Sequence, residues 1–188
     1  INGNVLLTRV GALYHDIGKL KDPTFFSENQ TTKRSPHSRI SPAESAEIII
    51  NHVKYGIELA KKNKLPDRII DFIRTHHGTS KVYYFYKKEQ KRNQNIDDTL
   101  FHYEGPKPFS KETAILMMSD SVEAASKSLK EPTIENLNLF VNEIIDNQMI
   151  DKQFSNSNIT FSEIEKVKKI IINKLINIYH LRVEYPKK

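Results

Sequence analysis

The 188-residue chain has no cysteine and no tryptophan, and only six glycines. Without cysteine there is no disulfide framework, no thiolate metal site and no cysteine nucleophile, which fits a reducing compartment. The longest uninterrupted apolar runs, such as Ile48 to Ile50 and Ile170 to Ile172, are far too short to span a bilayer. No glycine-rich phosphate loop, internal repeat or domain linker interrupts the chain, and one domain able to bury its own core is expected over residues 1–188. The chain opens Ile-Asn-Gly-Asn, with neither Met nor a signal-peptide pattern, as expected of a piece excised from a longer protein. Lys and Arg number 29 against 23 Asp and Glu, a formal net charge of +6, and this excess points to an anionic partner.

What the chain does have is helical spacing almost throughout. Apolar residues at Val5, Leu6, Val10, Leu13 and Ile17 predict a helix over 5–19, with Gly18 ending or bending it. Residues 21–42, rich in Pro, Ser, Thr and Asn and carrying Lys33, Arg34 and Arg39, read as a loop. Ser41-Pro42 with Glu44 opens a helix to about Asn63, and Leu65-Pro66 opens another to His77 with Gly78 as its cap. Val82 to Tyr86 is a short aromatic run, and Lys87 to Asp98 reads as a polar surface loop. Ser110, Thr133, and Thr160 with Glu163 mark three further helix starts, the last helix running to about His180. About six helices without a convincing strand predict an all-α domain.

Without thiolates, a transition-metal site must be built from histidines and carboxylates. Four histidines stand in helices that also carry an apolar face: His15 beside Asp16, His52, and the adjacent His76-His77. One such histidine alone is best read as a packed side chain bonded to a carbonyl. Taken as a set, two doublets and a mid-helix histidine are poorly explained by unrelated packing, because each buried nitrogen needs a partner. Asp120 lies in the otherwise apolar turn Met117-Met118-Ser119-Asp120-Ser121-Val122, where a bare carboxylate is expensive, and it joins the set.

In this order the residues resemble the HD-domain phosphohydrolase superfamily, and within it the membrane-anchored seven-transmembrane HD phosphodiesterases of the PgpH type, which hydrolyse cyclic di-AMP. The resemblance is carried by RVGALYHDIGKL (9–20), FFSENQ (25–30), the segments 35–60, 65–86 and 102–129, and YHLRVEYP (179–186). It implies an HD-type helical bundle with a metal centre between helices, holding two divalent ions, Fe or Mn. Asp16 would bridge them, His15 and Asp120 would complete one site, and His52, His76 and His77 the other. A carboxylate has two oxygens with which to bridge, imidazole suits Fe and Mn, and two metals together activate a hydroxide while neutralising phosphate charge. In such families one more histidine, from a helix preceding the HD pair, completes the first site; its position here would lie upstream of Ile1. The resemblance also implies a cytoplasmic domain of a membrane protein, attached to the membrane only through an upstream transmembrane region, and a homo-oligomer is compatible with it.

Lys19, one turn beyond His15, joins Asp16 as a catalytic candidate, since its ammonium can hold the scissile phosphate or the attacking hydroxide; a solvated helix-end lysine is the plain alternative. His37, Tyr83, Tyr103 and Lys107 are candidates for contact with the nucleotide, the tyrosines by stacking on adenine. Simple packing competes for each aromatic, and a turn hydrogen bond competes for His37. His102 and His180 are expected not to be ligands. The expected activity is metal-dependent hydrolysis of cyclic di-AMP to linear pApA through a hydroxide activated by two metals. Alternatives are another HD nucleotide phosphohydrolase, or a nucleotide sensor that keeps the fold without catalysis; filled ligand positions favour activity. Nucleic acid is not an expected partner, as only the positive charge suggests it. His76-His77 is followed by Gly78-Thr79-Ser80 with no Gly-Tyr-Pro nearby, unlike the cyclic di-GMP enzymes, and Ile17-Gly18-Lys19 departs from the His-Asp-x-x-Glu-Asp run of alarmone hydrolases.

Overall fold

The computed structural model describes residues 1–30, 35–93, 95–129 and 132–181. Lys33, Arg34 and residues 182–186 of the YHLRVEYP segment lie outside the described residues, as does Gln94 of the predicted polar loop. Seven α-helices form among the described residues: α1 (Val5–Tyr14), α2 (Pro42–Lys62), α3 (Asp67–Thr75), α4 (Tyr83–Gln90), α5 (Lys111–Ser126), α6 (Ile134–Ile150) and α7 (Phe161–Ile178). The only β-pairing among them is an isolated antiparallel bridge between Lys81 and His102, so the all-α expectation holds. No described helix is long and apolar enough to cross a membrane.

The helix starts follow the caps written in the sequence. Ser41 accepts from Glu44 N while the Glu44 carboxylate accepts from Ser41 N, and Thr160 with Glu163 repeats that capping box on α7. Ser110 and Thr113 do the same for α5, and Thr133 caps α6. At the start of α1, the Asn4 side chain accepts from Leu7 N, and its own N–H donates to Glu112 on α5. The N-terminus is thereby tied to the helix that carries Asp120.

Three elements depart from expectation. The first helix stops at Tyr14, not at residue 19; Asp16 turns the chain at φ −103, ψ 10, and Ile17–Leu20 continues as a 3-10 turn. Among the described residues of 21–42 there are three short 3-10 turns, Pro23–Phe25, Ser27–Asn29 and Pro36–Arg39. The aromatic run and the first residues of the polar stretch form α4, whose Phe85 packs with Ala46 and Phe101 against α2.

The larger core lies between α5, α6 and α7, around Met117, Met118, Val122, Leu137, Val141 and Ile145. A smaller one joins α2 to α3 through Ala60, Ile70 and Ile73. The two are linked through α3 and α5, which leaves His76 and Asp120 facing each other's neighbourhood at the centre of the bundle. Gly18 lets the turn after Asp16 seat directly on α2. A Cβ there would fall 1.8 Å from the carbonyl oxygen of His52 and 2.5 Å from Gly56 N, so no other residue fits without parting the two backbones.

Candidate metal centre

Each histidine of the cluster is delivered at or near a helix end or on a buried face. His15 caps the C-terminus of α1, His52 lies mid-way along α2, and His76 and His77 follow directly on α3. Asp120 projects from α5. The His15, His52 and His76 rings are aimed by the same local device: Nδ1–H donates to the carbonyl three residues earlier, Ala12, Ile49 and Ile73 respectively. A carbonyl can only accept, so Nδ1 carries a proton in each ring and Nε2 is the nitrogen turned inward.

Those nitrogens converge on Asp16. Its Oδ2 lies 3.2 Å from His15 Nε2, and its Oδ1 lies 3.4 Å from His52 Nε2 and 3.6 Å from His76 Nε2. His15 Nε2 is also 3.3 Å from Asp120 Oδ1. The donor atoms form two groups, His15–Asp16–Asp120 and His52–His76–His77, each within 4.8 Å. These are the two sets expected from the sequence, with one oxygen of Asp16 turned to each.

The arrangement fits metal ions on its own chemistry. His52 Nε2 and His76 Nε2 stand 3.1 Å apart with both protons committed to Nδ1, so two lone pairs face each other. His15 Nε2 is buried between the Asp16 and Asp120 carboxylates. Such converging groups suit a cation, and imidazole with carboxylate is the donor set of Fe, Mn or Zn rather than Ca.

Electrostatics divide the halves. Burial opposes charge on His15, but the carboxylates of Asp120 and Asp16 outweigh it and push its pKa up to about 10 in the metal-free chain. Burial, reinforced by the neighbouring histidines, pushes His76 down to about 4 and His77 well below its ordinary value. Burial would raise Asp16, yet the imidazoles of His15 and His52 and the Lys19 ammonium hold it far below the usual carboxylate range.

Lys19 reaches back to Asp16, 2.7 Å from Oδ2, and is held from the other side by Glu28, 2.5 Å away. Glu28 is a contact of the site that the sequence does not single out; its only signal is the FFSENQ segment. A cavity of about 410 Å³ opens over this face, within the usual range for a small-molecule site. Lys19, Phe26, His37, His52, His77, Tyr84, Phe85 and Tyr103 line it. Of the four predicted nucleotide contacts, His37 and Tyr103 are therefore brought to the cavity. Tyr83 is not: it lines a separate hollow with Thr79, Lys81 and His102, while its neighbour Tyr84 takes the cavity position. Lys107 is not either, because its Nζ donates to the carbonyls of Asp151 and Lys152. His102 is held by Asp98 and the Thr79 carbonyl, outside both donor groups, as expected. His180 lies just past the end of α7, at φ 54, also outside them.

Comparison with known proteins places the chain among relatives of the same fold. The HD domain family model matches residues 1–125. Over 186 residues the chain is 44% identical to the cyclic-di-AMP phosphodiesterase PgpH of Listeria monocytogenes and 42% identical to that of Bacillus subtilis. In both cases 99% of this chain is matched, but it spans only 26% of the relative's length. The crystal structure of the L. monocytogenes PgpH HD domain in complex with cyclic-di-AMP superposes with a TM-score of 0.91 at 43% identity, over 94% of this chain and 83% of that one.

Proposed function

The chain belongs to the HD-domain family, and from that premise we propose that it is a metal-dependent phosphodiesterase that hydrolyses cyclic di-AMP to the linear dinucleotide pApA. The observation that carries the reading is Asp16, whose two carboxylate oxygens each face a separate group of ligands at the floor of a cavity lined by Lys19 and aromatic side chains. Similarity to PgpH enzymes, and to an HD domain crystallised with cyclic-di-AMP, supports the substrate.

Two divalent ions, Fe or Mn, are proposed for the centre: His15, Asp16 and Asp120 would hold one, and His52, His76 and His77, with Asp16 beside them, the other. When bound, such a pair supplies Lewis-acid activation of water and neutralises phosphate charge. The residues of the chain do the rest. Asp16 and Asp120 would supply the negative charge that balances the metals, and Lys19 stands beside them, paired to Asp16 and Glu28. The Lys19 ammonium, already oriented by Asp16 and Glu28, has a third N–H free to donate to a phosphate oxygen as charge grows on it. His37, Tyr84 and Tyr103 shape the wall on which the nucleotide rests, and Phe26 and Phe85 limit water at its edge. In the overall step, the oxygen of water joins phosphorus, the bond from phosphorus to the 3′ oxygen breaks, and that oxygen leaves with a proton.

The test is hydrolysis of cyclic di-AMP and cyclic di-GMP in competition by the Mn- or Fe-loaded chain, with products resolved by chromatography. Preferential conversion of cyclic di-AMP to pApA is expected, lost on chelation. Equal or reversed preference would move the assignment to another HD nucleotide phosphohydrolase. Binding of two metals and nucleotide without turnover would identify a sensor.

A further inference from the structure

His77 is oriented differently from the other three histidines. Among the described residues it lacks the Nδ1 bond that they share; its ring lies on that of buried Tyr103, centroids 4.2 Å apart and planes 22° apart. Its reach is therefore set by the backbone on which it stands, and that backbone turns sharply at Gly78, φ +52.

What holds this turn comes from the far end of the chain. Gln153 follows α6, is only 2% exposed, and accepts through Oε1 from Thr79 N at 3.1 Å, while its Nε2 donates to the Thr79 hydroxyl at 3.2 Å. The fit is close: a Cβ on Gly78 would sit 2.4 Å from Gln153 Oε1. On the other side, Tyr103 N donates to Ser80 O at 2.9 Å, so the segment after His77 is braced at two successive residues. Lys107 fixes the turn that carries Gln153 by bonding the carbonyls of Asp151 and Lys152. Of these bracing residues Tyr103 and Lys107 lie within the 1–125 region that the HD domain model matches, whereas Gln153 lies outside it.

We propose that Gln153 is a positioning residue for the metal centre: through the Gly78–Thr79 backbone it sets the reach of the His77 imidazole, so that the α6–α7 unit tunes metal affinity at the His52–His76–His77 group. The inference rests on the two-metal reading given above. The buried amide is held in place before any metal arrives, and its loss lets the turn relax away from the cavity. Residues that orient ligands in this way typically command roughly 10–100-fold in affinity.

The experiment is calorimetric titration of Mn²⁺ into the metal-free chain, with thermal melting of the same samples. Wild type should bind in two steps, and His76→Ala should remove one of them. Gln153→Met, which keeps the volume and loses both hydrogen bonds, should weaken that same step by roughly tenfold or more. The other step should stay within about twofold, and activity should fall at limiting metal and recover at high metal. Gln153→Asn, whose amide is too short to reach Thr79 N, should act in the same direction and serves if the Met variant does not fold. Unchanged affinity at the His76-dependent step in a folded variant, or equal weakening of both steps, would overturn the positioning role. A wild-type chain with no His76-dependent step would instead overturn the two-metal reading itself.

Discussion

The two halves of the centre solve opposite problems. His15, Asp16 and Asp120 stand partly open to solvent and gather two carboxylates around one imidazole, which therefore holds its proton tightly when no metal is present. His52 and His76 are buried, His77 is partly so, and this group is all imidazole; burial keeps His76 and His77 uncharged. One half attracts a cation by charge but must give up a proton to take it. The other offers bare lone pairs with no charge, shielded from water by Phe26 and Tyr103. Asp16 belongs to both, and through it the charged half lends its field to the neutral one.

The sharpest way to break this comparison is to remove the shared group. Asp16→Asn keeps size but loses charge, leaving Asp120 as the one carboxylate acting on either donor group among the described residues. Both metal steps should weaken by more than the roughly 10–100-fold typical of outer partners, and hydrolysis should all but vanish. Titration of Mn²⁺ with product chromatography checks this; two tightly bound metals with near-normal turnover would mean that Asp16 bridges nothing. A smaller loss is expected at Lys19, which contacts Asp16 but belongs to neither donor group. Lys19→Met should keep both metals and lower kcat by roughly 10²-fold, the scale of one lost donor to a developing negative charge. A change confined to KM would make Lys19 a binding residue only.

Much of the centre was legible in the sequence because its chemistry is local. His-Asp, His-His and an aspartate in an apolar turn each violate the expectation for a buried helix face, and the structure unites all six in two groups. The helix caps were equally legible, since a capping box is closed within four residues. What periodicity hid was the break after Tyr14: Ile17 continues the apolar spacing of α1, but Gly18 must seat on the α2 backbone, and only the folded pair shows that. Tyr83 and Tyr84 are interchangeable to composition, and the face that α4 turns to the cavity decides between them. Glu28 and Gln153 act across gaps of 9 and 74 residues, and nothing in their neighbours announces the partner.

Protons offer a finer probe of the same contrast. At neutral pH the metal-free chain carries an imidazolium at His15, because its pKa lies near 10, and metal entry must expel that proton. Affinity at this half should rise with pH from about 6 to 8, by up to roughly tenfold per unit. His76, lowered to about 4, and His77, lowered further below its ordinary value, are already deprotonated throughout that range, so they release nothing. Calorimetry in buffers of different ionisation heat should find about one proton released at the step that His15→Ala removes. It should find close to none from His76 and His77 at the other. Equal proton release at both steps would erase the distinction between a charged and a neutral half.

The smallest effect separates the centre from the wall of its cavity. His37 Nε2 donates to the Phe25 carbonyl at 2.9 Å, and its ring packs on Phe25 and Phe85 with centroids 5.1 and 4.7 Å away. It belongs to neither donor group, and burial together with nearby Lys88 lowers its pKa, so it carries no charge toward the phosphate at neutral pH. His37→Ala removes a piece of wall and loosens the 3-10 turn at Pro23–Phe25, next to the Ser27–Asn29 turn that carries Glu28. KM should rise by a few-fold while both metal affinities and kcat stay close to wild type. His102→Ala is a milder companion: it removes a histidine outside both donor groups but bonded to Asp98 and to the Thr79 carbonyl, so both metal steps should persist, with any small weakening confined to the His76-dependent one. Loss of a metal step in His37→Ala would place His37 among the ligands of the exposed half, where an added imidazole would have to swing from Phe25 to reach Asp120. Retention of both steps with a raised KM keeps it in the wall, where substrate meets it and metal does not.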